Sequence, residues 1–314
     1  MKAVRFHEYG DPDVLRYEDV ERPVPGSGEA RIRVAATAFN PVDAGIRGGY
    51  LRDAFPVALP HIPGIDVAGS VDALGEGVGD IKVGDEVIGF LPMVADGAAT
   101  EYVVAPAEIL APAPSSIPLV DAGALPSVGL TAWQALFVHG KLAAGQRVLI
   151  NGAGGGVGGY AVQLAKMAGA HVIATASPRS SERVRTAGAD EIIDHTITSV
   201  AAGVTAPVDV LLNLAPIEPE ELRALAALVR PGGVVVSTTV WMPAPADEQR
   251  GVRGVDVFVR SDAEQLSRLV ALVDSGELRV EVADRVPLAE LPAVHAKADT
   301  GALPGKVLVL PAAA

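Results

Sequence analysis

The sequence predicts an α/β fold in which a doubly wound parallel sheet accompanies a second domain of short antiparallel or barrel-like strands. Three observations predict it. An apolar strand runs straight into a glycine loop and an amphipathic helix at 146–168. Strand and helix periods then alternate to about residue 259. The flanking segments carry short alternating runs broken by glycine, proline and aspartate. With 314 residues, 49% of them hydrophobic, the chain exceeds one average domain and can build two cores.

Taken in order, the segments 30–35, 65–71, 85–91 and 100–104 alternate in the manner of half-buried strands, which assigns 1–121 to the β domain. The next domain, 122–260, holds the expected strands 148–151, 171–175, 191–194, 208–213, 234–238 and 255–259, with helices between most of them. Pro231, Gly232 and Gly233 are expected to close a helix ending at Val229 and to turn the chain into the fifth strand. A helix is expected over 263–274. Short strands are expected over 279–310, so that 261–314 rejoins the first domain.

The glycine loop is the chemical centre of this pattern. Val148, Leu149 and Ile150 suit a buried parallel strand, and six glycines follow within the eight positions 152–159. Glycine loses the most backbone entropy on folding, so the cluster makes sense where backbone must approach a ligand closely. Val157, Tyr160, Ala161, Leu164, Ala165 and Ala168 mark one face of a helix beginning near Gly156. The free N–H groups and positive dipole end of that helix suit a pyrophosphate, which makes Gly154, Gly155, Gly156 and Val157 candidate cofactor contacts. In the usual register the motif falls on Ala153, Gly155 and Gly158, so its first glycine is replaced by alanine.

The residues that follow the second strand indicate which dinucleotide is bound. NAD-binding proteins keep an acid there, roughly 20 residues after the loop, for the ribose hydroxyls. This chain has Ser177 and Arg179 instead, and its first carboxylate is Glu182. Hydroxyl and guanidinium donors suit a 2′-phosphate that a carboxylate would repel, which favours NADPH. Arg183 and Arg185 read as the solvated face of the next helix.

Composition narrows the function classes. Zero cysteines remove disulfides, thiolate catalysis and cysteine-ligated metal, and a cytoplasmic location is the default expectation with no apolar signal region behind the charged residues 1–5. A net charge of −13 disfavours nucleic-acid binding. Six glycines and Asn151 argue against a membrane span for the uncharged run 148–165. None of the five tyrosines has a lysine four positions on, which disfavours the short-chain reductases, and a single dinucleotide loop disfavours flavin chemistry.

Asn40-Pro41-Val42-Asp43, Arg47-Gly48-Gly49, Pro63-Gly64-Ile65-Asp66, Val83-Gly84-Asp85-Glu86-Val87 and the glycine loop occur in a fixed order over nearly the whole chain. In these motifs the sequence resembles the medium-chain dehydrogenase/reductase superfamily, and within it the zinc-independent quinone oxidoreductase branch. The resemblance implies a GroES-like catalytic domain, a Rossmann domain, and a homodimer formed through the last Rossmann strands, here 255–259. The positions that hold catalytic zinc in alcohol dehydrogenases fall on Asn40, Ile65 and Ser127, none of which is a normal zinc ligand, so no metal is expected. Val42 stands where alcohol-oxidising relatives keep a proton-relaying hydroxyl. Alcohol oxidation at neutral pH would lose the help of a Lewis acid, whereas hydride delivery to a quinone or the β-carbon of an enone needs less.

The resemblance assigns further roles. Asn40 reads either as a hydrogen-bond donor near the nicotinamide or substrate carbonyl, or as a turn-former before Pro41. Tyr50 reads as an aromatic over the substrate pocket or as a packing residue, and Thr131 as a neighbour of the nicotinamide or a helix-packing residue. His195 stands where many relatives place a tyrosine beside the adenosine phosphate. Asp43 and Asp66 read as structural acceptors, and His61 and His139 as ordinary turn or surface residues. The acceptor pocket is expected among loops near Tyr50, 91–94 and 240–246. A biosynthetic enoyl or ketone reductase shares this mechanism, and a non-catalytic NADPH-binding regulator shares the cofactor site.

Overall fold

The computed structural model describes residues 1–239 and 241–311. The chain divides into two compact units: Met1–Ser127 with the residues from Ser261 onward, and Val128–Arg260.

The first unit opens with β1 (Lys2–Phe6), β2 (Leu15–Asp19), β3 (Glu29–Ala38), α1 (Pro41–Arg47), β4 (Asp66–Leu74), β5 (Glu86–Phe90), β6 (Tyr102–Pro106), β7 (Leu110–Pro112) and the short α2 (Leu119–Ala122). α3 (Pro126–Trp133) runs on from it. The second unit then holds β8 (Arg147–Asn151), α4 (Gly156–Met167), β9 (His171–Ala176), α5 (Ser181–Thr186), β10 (Glu191–Asp194), α6 (Val200–Gly203), β11 (Val208–Asn213), α7 (Pro219–Ala226), β12 (Val229–Ser237) and β13 (Arg253–Asp256). The chain returns to the first unit with α8 (Ala263–Asp274), β14 (Asp284–Pro287), α9 (Leu291–Asp299) and β15 (Val307–Leu310).

In the first unit the sheet order is β14-β15-β3-β4-β5-β7, with β6 paired to the long strand β3, and β1 and β2 form a separate antiparallel ribbon. All pairings of the larger sheet are antiparallel except β14 with β15. Inward residues of β3, β4 and β6 such as Ile32, Val67 and Val103 share one core with Leu91 and Leu110. A second cluster packs β1, Phe39, α9 and β15 together.

The second unit is a six-stranded parallel sheet in the order β10-β9-β8-β11-β12-β13, which is the doubly wound arrangement with its switch point between β8 and β11. The central strands are apolar because both faces are covered: Val148, Leu149, Ile150, Leu211 and Leu212 are fully buried.

Several elements differ from the sequence expectation. Pro231, Gly232 and Gly233 lie inside β12 rather than in a turn before it, because α7 ends at Ala226 and the strand starts at Val229, opposite Val208, before its register shifts. The last strand is Arg253–Asp256, not 255–259. The tail holds a helix, α9, where short strands were expected; Pro292 sits in its first turn, where the missing N–H costs nothing. The junction between the units falls after Ser127 rather than at 121.

Candidate functional site

In the second unit the glycine loop leaves β8 and enters α4 with Gly155 as its N-cap. Gly152 has φ +90°, which favours glycine, and a Cβ at Gly158 would lie 2.5 Å from Ala153, so α4 and the loop pack too closely for any side chain there. Gly155 and Gly156 are exposed at the start of a twelve-residue helix; the Gly155 N–H turns back to Gly152 O at 3.1 Å, and the first amides of the helix itself, from Gly156, are those without an intrahelical acceptor.

Around this cradle the sequence-predicted residues gather at the C-terminal ends of β8, β9 and β10. Ser177 follows β9 and is half-buried; Arg179 is exposed and makes no hydrogen bond or ion pair with another described residue. His195 follows β10, is exposed, and its backbone N–H donates to Ala176 O at 3.3 Å, which sets it beside Ser177. The loop between β9 and α5 is held by Ser180, whose Oγ accepts from Ser177 N at 3.2 Å. Ser180 also packs so closely on the glycine loop that a Cβ at Gly154 would meet its Oγ at 2.5 Å. Arg183, expected on a solvated helix face, instead donates to Gly154 O and ties α5 to the loop. Arg185 is the surface residue of the pair, bonded to exposed Glu182 at 2.7 Å. Thr131 is half-buried on α3.

In the first unit a second polar centre is built around Asp66, which is fully buried at the start of β4. It accepts from Ser127 N at 2.7 Å, Ser127 Oγ at 2.8 Å, Asn40 Nδ2 at 2.9 Å and Lys306 Nζ at 3.2 Å. A bare carboxylate loses several kcal/mol on burial, and four charge-assisted bonds of about 1.5–3 kcal/mol each are what makes this one tolerable. The Lys306 ammonium, whose side chain is 7% exposed, also donates to Asn40 Oδ1 at 2.6 Å and Phe39 O at 3.4 Å, so its three protons are all used. Ammonium has no acceptor, so it fixes the Asn40 amide with its oxygen inward. Asn40 Oδ1 also accepts from Ser127 Oγ at 3.1 Å, and Asn40 Nδ2 also donates to Ala38 O at 3.2 Å.

This geometry corrects one expectation. Both amide protons of Asn40 are spent inside the first unit, so in this conformation the side chain offers no donor to a nicotinamide or a substrate carbonyl; its work is to join Asp66 to Lys306. Asp43, also buried, closes the α1 N-terminus by accepting from Asn40 N at 2.9 Å and takes Gly64 N at 3.0 Å. Burial outweighs these two bonds and raises its carboxyl to about 7. Tyr50 lies past the other end of α1, 84% exposed, with its ring over Gly48. His61 is a buried residue rather than a surface one, edge-on to Phe6 at 5.4 Å, and burial lowers its pKa. Val240, in one of the expected pocket loops, lies outside the described residues.

Two of the three positions aligned with zinc ligands, Asn40 and Ser127, therefore do meet, but on the Asp66 carboxylate, with the Lys306 ammonium bonded to Asn40; Ile65 is a core residue. Among the described residues no three His, Asp or Glu side chains converge as a metal site would require. Sequence reasoning missed Lys306 and Arg183. Lys306 carries no local signal, being a single lysine before an apolar strand.

A glycine cradle on a doubly wound sheet, joined in one chain to a β-rich unit, defines a dinucleotide-dependent oxidoreductase. Residues 26–115 match the family model described as alcohol dehydrogenase GroES-like domain, and 187–309 that described as zinc-binding dehydrogenase. The chain is 33% identical to the chloroplast envelope quinone oxidoreductase homolog of Arabidopsis thaliana over 99% of this chain and 98% of that one. It is 32% identical to an NADPH-dependent alkenal/one oxidoreductase of the same plant, over 99% of this chain and 80% of the relative. The solved quinone oxidoreductase of Coxiella burnetii superposes with a TM-score of 0.90 at 29% identity, covering 99% of each chain. The chain belongs to the medium-chain dehydrogenase/reductase family, in its quinone oxidoreductase branch.

Proposed function

We propose that this enzyme transfers hydride from NADPH to a quinone or to an α,β-unsaturated carbonyl without zinc. The observation that carries the reading is what stands at the zinc-ligand positions, an amide, a hydroxyl and an isoleucine, with Asn40 bonded to the Lys306 ammonium, whose donors are spent on Asn40, Asp66 and Phe39. Those residues do not fit a zinc ion, whatever the description of the matched family model. An acceptor that delocalises the incoming electrons into a conjugated system has least need of a Lewis acid.

The second unit fits NADPH. The exposed start of α4 at Gly156 suits the pyrophosphate, and Ser177, His195 and Arg179, which has no partner among the described residues, form a group after β9 and β10 suited to the 2′-phosphate. When bound, NADPH supplies the hydride. Arg183 and Ser180 hold the loop that receives it, and Thr131 and Tyr50 are proposed to line the nicotinamide and acceptor sites. The names of the two Arabidopsis relatives support both acceptor classes.

The proposal includes a cytoplasmic setting, supported by the cysteine-free composition, and a homodimer, supported by β13 standing at the sheet edge with Phe258 55% exposed just beyond it. Among the described residues no helix is long and apolar enough to cross a membrane. The test is oxidation of NADPH by benzoquinone and by a panel of enones, with and without a zinc chelator. Turnover that persists in chelator supports the reading; no turnover with any acceptor, or turnover abolished by chelation and restored by zinc, overturns it.

A further inference from the structure

The parallel sheet of the second unit ends in polar side chains that strand pairing does not require. Asn151, Asn213 and Ser237 are the last residues of β8, β11 and β12, and Thr175 is next to last in β9. Register sets them in one row. Asn213 stands opposite both Asn151 and Ser237, and Ile150 opposite Ala174, which brings Thr175 beside Asn151. All four are at most 3% exposed.

The row is hydrogen-bonded end to end, and in one direction. Gly152 N–H donates to Thr175 Oγ1 at 2.8 Å, the Thr175 hydroxyl to Asn151 Oδ1 at 3.0 Å, Asn151 Nδ2 to Asn213 Oδ1 at 2.9 Å, and Asn213 Nδ2 to Ser237 Oγ at 3.4 Å. Ser237, accepting there, is left to donate to Thr239 Oγ1 at 2.8 Å. Aligned bonds polarise one another, so the row is stiffer than its separate links. Asn213 Nδ2 also holds Ala215 O at 3.1 Å, and Ala215 packs within 3.1 Å of where a Gly152 side chain would begin. The loops on both sides of the switch point are therefore pinned to the same row.

Burying four polar side chains is unfavourable compared with the apolar residues that fill the rest of these strands, so the row calls for a reason beyond sheet formation. Its first link is the amide of Gly152, the residue that opens the glycine loop. We propose that Thr175, Asn151, Asn213 and Ser237 are positioning residues that preset the glycine loop for the pyrophosphate, so that the loop is ordered before the dinucleotide arrives. This inference rests on the NADPH reading above. Preordering removes an entropy loss that binding would otherwise carry, so it acts on affinity.

The test is Thr175→Val, which keeps the shape of the side chain and removes the hydroxyl, beside Thr175→Ser, which keeps the hydroxyl. NADPH dissociation constants are measured by titration, and hydrogen exchange of the 152–156 amides is measured without cofactor. Thr175→Val should weaken NADPH about tenfold and speed loop exchange, while Thr175→Ser stays within about twofold of wild type; in turnover the loss should fall on KM for NADPH more than on kcat. Unchanged NADPH affinity in Thr175→Val, or equal weakening in both variants, overturns the inference. If wild type itself does not bind NADPH, the cofactor reading fails instead, and faster loop exchange in Thr175→Val still upholds the positioning role. Should Thr175→Val not fold, Ser237→Ala at the other end carries the test, with about threefold weaker NADPH expected and unchanged affinity overturning the idea.

Discussion

Replacing His295 by phenylalanine should remove one pH-dependent contribution to the stability of the first unit. His295 is fully buried on α9, edge-on to Phe39 at 4.8 Å, and neither ring nitrogen has a hydrogen-bond partner among the described residues. Burial first, and then the charge of Arg47, lower its pKa to about 3, with Asp299 pulling weakly the other way. The unfolded chain takes up a proton near the ordinary histidine value of 6.5, and the folded chain resists until about 3. Stability is therefore complete above that unfolded value and falls as the pH drops toward the folded one. Linkage gives a loss of about 1.4 kcal/mol between roughly pH 7.5 and 5.5, a factor of about ten.

Phenylalanine keeps the aromatic contact and removes both nitrogens. Its absolute effect is a balance of relieved desolvation, about 1–3 kcal/mol, against overpacking of similar size, so the slope is the quantity to measure. Native-state hydrogen exchange of α9 and β15 amides reports the opening of this unit, and comparing wild type with His295→Phe at each pH cancels the intrinsic exchange rate. The ratio of protection factors should shift about tenfold in favour of the variant on going from about pH 7.5 to 5.5. A ratio independent of pH would refute the reasoning.

Asp43→Asn should show the opposite slope: the carboxyl is raised to about 7, so wild type loses stability as pH rises from its ordinary value of 3.8 toward 7, and the wild-type-to-variant ratio of protection factors should fall over that range, on top of about 1–3 kcal/mol for the backbone bond an amide cannot accept. Between roughly pH 4 and 6.5 the two slopes oppose one another in wild type, so each is read from the ratio of wild type to its own variant and not from the wild-type profile by itself. Lys306→Met leaves Asp66 a buried charge without its cation and should destabilise the first unit by about 3–5 kcal/mol in the same exchange measurement; a loss below about 1 kcal/mol would show that the three neutral donors suffice. Arg179→Ala should weaken NADPH about tenfold and NADH less than twofold in equilibrium titration, and an unchanged ratio would remove Arg179 from the 2′-phosphate site.

The parts legible in the sequence were those written in contiguous residues. The strand, loop and helix over 147–167 and the helix Ala263–Asp274 follow from local periodicity, and each stands where the pattern places it. Gly158 has no room for a side chain, which is why the motif can be read at all. What escaped was long-range or locally ambiguous. Lys306 meets partners 240 and 266 positions away, and no spacing rule reaches that far. The row from Thr175 to Ser237 consists of single polar residues at strand ends, each indistinguishable from the start of a loop until strand order and register align them. α9 was obscured because Leu291, Val294 and His295 give only one buried turn and Pro292 reads as a breaker. Asn40 was legible as a residue of the site but not in its role, because hydrogen-bond direction depends on which partner arrives, and that partner is Lys306.

The two units use positive charge in opposite ways, and the contrast bears on the chemistry. In a chain of net charge −13, the first unit buries a cation and uses up its donors on Asp66, Asn40 and Phe39, so the charge serves the fold and is not available to a ligand. The second leaves Arg179, in the loop after β9, exposed and without a partner among the described residues, while its neighbours Arg183 and Arg185 are committed to Gly154 and Glu182. An exposed guanidinium on an acidic protein attracts anions locally, which is the ground for the proposed 2′-phosphate contact of Arg179. The same distribution spends the buried cation of the first unit on the fold, so Lys306 cannot stand in for a metal in stabilising a developing alkoxide. Reduction of acceptors that disperse negative charge over a conjugated system is the chemistry this arrangement can support.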